Sequence, residues 1–179
     1  MKSTLTLALG LAVLSASLVG CGTGQIQSPQ AVLPQEESPG LVDRLSSLET
    51  VDENTALRAV LMLVDGKDDC KTFSERIEKL KDRKLVDPKW DFDADKPITR
   101  GKLAYMVFTG CGINGGVTLA LFGPSQRYCL RELKYKGIII SGDQAGAVSG
   151  METIAILSRA DAYMETGEIP ETLNVKGGR

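Results

Sequence analysis

From residue 41 onward, apolar side chains recur every three or four positions, the spacing that lines one face of an α-helix. Leu41, Leu45 and Leu48 predict a short first helix. Asp52 or Asn54 is placed to cap a second, which turns Ala56, Leu57, Val60, Leu61 and Val64 inward and stops at Gly66. Phe73, Ile77 and Leu80 mark a third, with Lys79, Lys81 and Arg83 near its C-terminus, where cations suit the helix dipole. Thr99 caps a fourth that groups Leu103, Met106 and Val107 and ends at Gly110 and Gly112. Pro124 stands where an N1 proline would open a fifth, anchored by Tyr128, Leu130 and Leu133. Ser149 caps a sixth carrying Ile154, Ile156, Leu157 and Ala160. The one strand-like run, Ile138 to Ile140, reads as a short strand or a buried connection. The expected fold class is mainly α: a small bundle of helix–loop–helix units with little or no β-structure.

The region before residue 41 has another pattern. Lys2 is followed by the apolar stretch Leu5 to Leu18, then small residues leading to Cys21. That stretch is shorter than the ~20 residues that cross a bilayer, and no basic flank follows it. Leu18-Val19-Gly20-Cys21 resembles the bacterial lipobox. The resemblance implies a signal peptide over residues 1–20, removed before Cys21, and acylation of the Cys21 thiol. It makes the membrane a partner through a lipid anchor and places the protein in the bacterial cell envelope. Gly22, in place of an acid after the cysteine, points by the same resemblance to the outer membrane. Residues 21–40 are rich in Gln, Ser, Pro and Gly, without helical periodicity, and read as a flexible tether. Residues 173–179 read as a disordered tail, leaving 41–172 as the folded domain.

Composition narrows the chemistry. The chain has 42% hydrophobic and 25% charged residues, a globular balance, and its formal charge of −2 argues against a nucleic-acid partner. Histidine is absent. Catalytic units and metal sites that need imidazole are thereby excluded. An enzyme would have to work with carboxylates such as Asp91, Asp93 or Asp95 beside Lys or Tyr, so the expectation is a non-catalytic protein with no cofactor.

Two stretches correspond in spacing. Ile77, Leu80, Leu85 and Val86 match Leu130, Leu133, Ile138 and Ile139, and each stretch leads through a polar loop to a capped helix, at Ile98-Thr99 and Val148-Ser149. The first unit, with Leu85-Val86, Trp90-Asp91-Phe92-Asp93, Pro97-Ile98-Thr99-Arg100 and Leu103-Ala104, resembles an S-layer homology repeat. The second has Gly137-Ile138-Ile139, Gly142-Asp143 and Val148-Ser149-Gly150-Met151-Glu152. In that family three repeats form a helical bundle that grips acidic cell-wall glycan, the motif arginine recognising the acidic sugar and the threonine capping its helix. Carried over, this implies glycan contact through Thr99 and Arg100, with Trp90 beside them, since a guanidinium forks to a carboxylate. The chain departs from the pattern at Gly101, Lys102 and Gly150, which stand where the motif has alanine, an acid and the second arginine. Leu41 to Val64 is the stretch that can take the structural place of a third unit.

Other motifs carry less. Asp91-Phe92-Asp93-Ala94-Asp95 opens like a calcium loop, but Lys96 and Lys102 occupy the positions of its glycine and bidentate glutamate, so no metal is expected. Gly110 to Gly115 spells G-x-G-x-x-G after a helical run, which reads as a helix stop and a turn. Cys70, Cys111 and Cys129 allow one disulfide, whose pair the sequence leaves open; free buried cysteines are the other reading. Lys79, Lys81, Arg83 and Lys84 form a basic cluster interleaved with Glu75, Glu78 and Asp82. Together these readings give a lipid-anchored envelope protein with a binding or structural role against cell-wall polysaccharide. The alternative is an accessory subunit whose partner is an envelope protein.

Overall fold

A computed structural model describes residues Ser38 to Leu173. The expected signal peptide, Cys21, most of the tether and residues 174–179 lie outside the described residues. Seven α-helices and one 3-10 turn account for the regular structure among the described residues, and no sheet forms there. Helix α1 is Ser38–Ser46, so it begins inside the segment expected to be tether.

Each longer helix starts at a residue whose side-chain oxygen accepts a first-turn amide. Asp52 opens α2 (Glu53–Asp65) by accepting from the Thr55 amide at 2.7 Å. Thr72 opens α3 (Phe73–Asp82), and Thr99 opens α4 (Arg100–Gly110). Ser125 opens α6 (Gln126–Tyr135), and Ser149 opens α7 (Gly150–Thr166). Such caps satisfy donors that an isolated helix leaves unbonded. The expected N1 proline is corrected here. Pro124 precedes the cap, and the Ser125 hydroxyl accepts from the Tyr128 amide. A short helix, α5 (Val117–Phe122), also forms between Gly116 and Gly123, where the sequence promised only a turn. Ile138 to Ile140 make no strand: Ile138 and Ile139 are buried in a connection, and Ile140 is exposed.

In chain order the helices fall into three consecutive pairs, α1–α2, α3–α4 and α6–α7, with α5 inserted before the third, and the main packing runs between pairs. The first helix of each pair packs on the second helix of the pair before it: α3 on α2, α6 on α4, and α1 on α7, which closes the circle. The centre is apolar. Leu45, Leu57, Leu61, Leu80, Leu103, Met106, Leu133 and Ile156 are all fully buried, and removing each such side chain from water contributes about 1.5–3 kcal/mol.

The two repeated stretches share one backbone reversal. After α3, the Leu85 amide bonds back to the Leu80 carbonyl at 2.8 Å; after α6, the Ile138 amide bonds back to Leu133 at 2.9 Å. Both reversals need a left-handed residue. Gly137 supplies it with φ 78°, and Lys84 adopts φ 58° at the matching position without glycine's freedom.

Candidate functional site

The three helix openings meet at one end of the bundle. Val51, Ile98 and Val148 immediately precede the caps of α2, α4 and α7, and all three are buried. The Ile98 amide donates to the Val51 carbonyl and the Val51 amide to Val148. The first amide of each helix reaches into the loop before another helix. Glu53 donates to the Lys96 carbonyl, Arg100 to Gly146 and Gly150 to Leu48, at 2.8, 2.8 and 3.0 Å. The circle of pairs is thus also a circle of backbone hydrogen bonds.

Side chains repeat the same step twice. Arg100, the first residue of α4, forks to Glu152, the third residue of α7. Its Nε and Nη2 donate to the two carboxylate oxygens at 2.7 and 2.8 Å. Glu53, the first residue of α2, accepts from Lys102, the third of α4, at 2.6 Å. The charges are reversed but the positions correspond. At the third step the first residue is Gly150. A Cβ there would lie 1.7 Å from the Leu45 carbonyl oxygen, because the end of α1 occupies that space. Gly150 therefore stands in the arginine's place for a steric reason.

The three residues expected to contact glycan are not brought to one surface. Thr99 caps α4, its hydroxyl accepting from the Lys102 amide at 3.3 Å. Arg100 is buried, and its remaining donors go to the carbonyls of Asp143 and Ala147 at 3.0 and 3.2 Å. The hydrogen bond to Glu152 is the main cause that raises its pKa. The guanidinium fork is thus taken by an internal carboxylate. Trp90 belongs to a separate cluster. Its ring meets Tyr105 edge-on at 5.0 Å and Phe92 at 6.0 Å, and Lys102 Nζ lies 4.5 Å from the Phe92 ring centre.

Glu53 received no role from the sequence, yet it organises the acidic loop. It is completely buried, and its second oxygen accepts from the Asp93 amide at 2.8 Å. Lys102 also donates to the Asp91 carbonyl at 3.0 Å. The calcium-like Asp91, Asp93 and Asp95 are exposed, and Asp93 accepts from the Asp95 amide as a turn. Among the described residues, no group of three or more His, Cys, Asp or Glu is placed to hold a metal ion.

Cys70, Cys111 and Cys129 are all free thiols. Burial pushes the Cys111 and Cys129 thiols up to about 12 and also raises Cys70, which disfavours the reactive thiolate. The basic cluster on α3 is partly neutralised, since Lys79 and Arg83 both pair with Asp65 of α2.

A different cationic face remains open. Arg127, Arg131 and Lys134 follow one another at i, i+4 and i+7 along α6 and share one side of it. With Leu130 and Gln144 they line an open cleft of about 410 Å³ between α6 and the loop after Ser141. Among the described residues, three cations and no acid line this cleft. Arg131 donates to the Thr118 hydroxyl at 3.1 Å and lies over the Tyr128 ring at 5.5 Å, while Lys134 bonds the Gly142 carbonyl. The spacing was visible in the sequence; that no carboxylate of the described residues lines the cleft was not.

No helix of the described residues is long and apolar enough to cross a membrane. No protein-family model, no curated protein and no solved structure matches the chain.

Proposed function

We propose that this is a lipid-anchored protein of the bacterial cell envelope, whose helical domain holds an acidic wall polymer without transforming it. The cleft of Arg127, Arg131 and Lys134 is the observation that carries this reading. Its cations extend over about 10 Å of helix axis, a span that suits successive acidic groups of a chain better than one small anion. Arginine forks match carboxylate and phosphate, and Gln144 and Leu130 offer an amide and an apolar floor to a sugar ring. The lipobox-like Leu18 to Cys21 supports the anchor. The three-pair circle supports an S-layer-homology-like architecture, with α1–α2 as its third unit. In this proposal the ligand contact moves from Arg100 to α6.

The test is co-sedimentation with isolated cell-wall sacculi and retention on immobilised alginate, a polyuronate, with neutral dextran as control. Wild type should bind the walls and alginate in a salt-sensitive way. Combined Arg127→Ala and Lys134→Ala should lower retention at least tenfold with an unchanged melting profile. Equal retention of wild type and variant, or none by either, overturns the reading.

A further inference from the structure

We propose that the outward face of α5 is a second, protein-borne membrane contact, seated in the headgroup layer of an anionic bilayer. Val117, Leu121 and Phe122 are 76, 73 and 73% exposed, unusual for a six-residue helix that is otherwise Thr, Leu and Ala. Only Leu119 packs toward the core. Single exposed apolar residues are ordinary, but three large ones on one turn and a half form a ridge. The surrounding sequence is equally distinctive. From Met106 to Gln126 the chain carries no charged residue, although a quarter of all its residues are charged.

What borders the ridge identifies the occupant. Arg131 is tied to α5 through Thr118 and marks its cationic edge. Phe122 meets Tyr128 at 6.4 Å between ring centres, and Tyr135 stands 84% exposed further along α6. Tyrosine and arginine beside a bare aliphatic and phenyl surface form the combination that settles at a bilayer interface. Apolar groups enter the acyl boundary, while phenol and guanidinium remain with the phosphates. The nearby carboxylate of Glu132 is engaged by Lys136 at 3.6 Å, so it does not cancel Arg131. A protein partner would meet the same apolar ridge, but an unopposed arginine and a tyrosine rim favour anionic lipid. The ridge shares Arg131 with the cleft, but its apolar residues lie outside the cleft, and quenching by brominated lipid is read separately from polymer retention.

The experiment places a reporter on the ridge of the full chain, Phe122→Trp, with Leu121→Trp as a second variant and the parent (Trp90 alone) as background. Each chain is reconstituted into phosphatidylglycerol–phosphatidylcholine vesicles and into phosphatidylcholine vesicles, with and without brominated acyl chains. All variants share the same N-terminal segment, so the local emission is what decides. The new tryptophan should shift to the blue in anionic vesicles. Its quenching by brominated lipid should be at least twofold above the parent, falling by half or more in phosphatidylcholine or with added Arg131→Ala. Quenching at the parent level for both variants overturns the proposal. A blue shift that grows with protein concentration without lipid assigns the ridge to a second copy and overturns it too.

Discussion

Arg100 and Glu152 join the first turns of α4 and α7 through two parallel hydrogen bonds, while the same guanidinium ties down the carbonyls of Asp143 and Ala147. One side chain thus fixes a helix opening and the loop that precedes it. Arg100→Ala should cost about 2–4 kcal/mol, because a carboxylate and two carbonyls lose their donor. Arg100→Lys should recover only part of this, since an ammonium cannot fork. Urea unfolding of the three proteins is the measurement, with a ranking of wild type, lysine, alanine.

Glu53 and Lys102 are the same joint with reversed charge, but more deeply buried. Lys102→Met leaves a buried carboxylate facing only the Asp93 amide and should destabilise by about 3–5 kcal/mol. Adding Glu53→Gln removes the stranded charge while an amide oxygen still accepts from Asp93. The double variant should therefore be more stable than Lys102→Met alone, a difference that a double-mutant cycle by denaturant melts detects.

Gly150 closes the third step by having no side chain. Gly150→Ala forces its Cβ against the Leu45 carbonyl oxygen, a rigid backbone atom. The loss should be about 3 kcal/mol or more, well beyond the gain that alanine brings to a helix interior. Amide exchange should show α1 opening before the rest of the bundle.

Asp161 supplies a pH dependence. Burial, and secondarily the charge of Glu165, raises its carboxyl pKa in the folded state. The folded protein therefore holds this proton more tightly than the unfolded chain. Stability from this group is greatest at pH below the ordinary carboxylate range and falls as pH rises to the raised value. Asp161→Asn should melt at a higher temperature than wild type at pH 7. Thermal melts from pH 3 to 7 should show that advantage shrinking on acidification.

Much of the bundle was readable because its signals are local. Thr99 and Ser149 cap where their hydroxyls precede a periodic apolar run, and Gly66 stops α2 with φ 73°. The matching reversals after Leu80 and Leu133 were visible as equal spacing. Helix α5 was not, because its six residues carry neither a side-chain cap nor a buried stripe, and two glycines and Gly123 enclose it. Pro124 misled because its fixed φ suits the cap's neighbour as well as the first helical turn. The candidate site was harder still. Arg100 has the residue type expected of a ligand contact, and only the fold reveals that Glu152, fifty-two positions later, already fills that role. Arg127, Arg131 and Lys134 are spaced plainly, but the lack of a carboxylate over them among the described residues is a long-range fact.

The packing of α1 against α7 carries one more consequence. A ring of three interlocked pairs has no preferred beginning: the order in which ribosomes deliver its segments is separable from the order in which they touch. A circular permutant opened at the exposed Gly115-Gly116, with the old ends bridged by a linker, retains each cyclic contact and should still fold. Seen this way, the domain is a closed clasp with an arbitrary seam, and the seam happens to lie between α7 and α1.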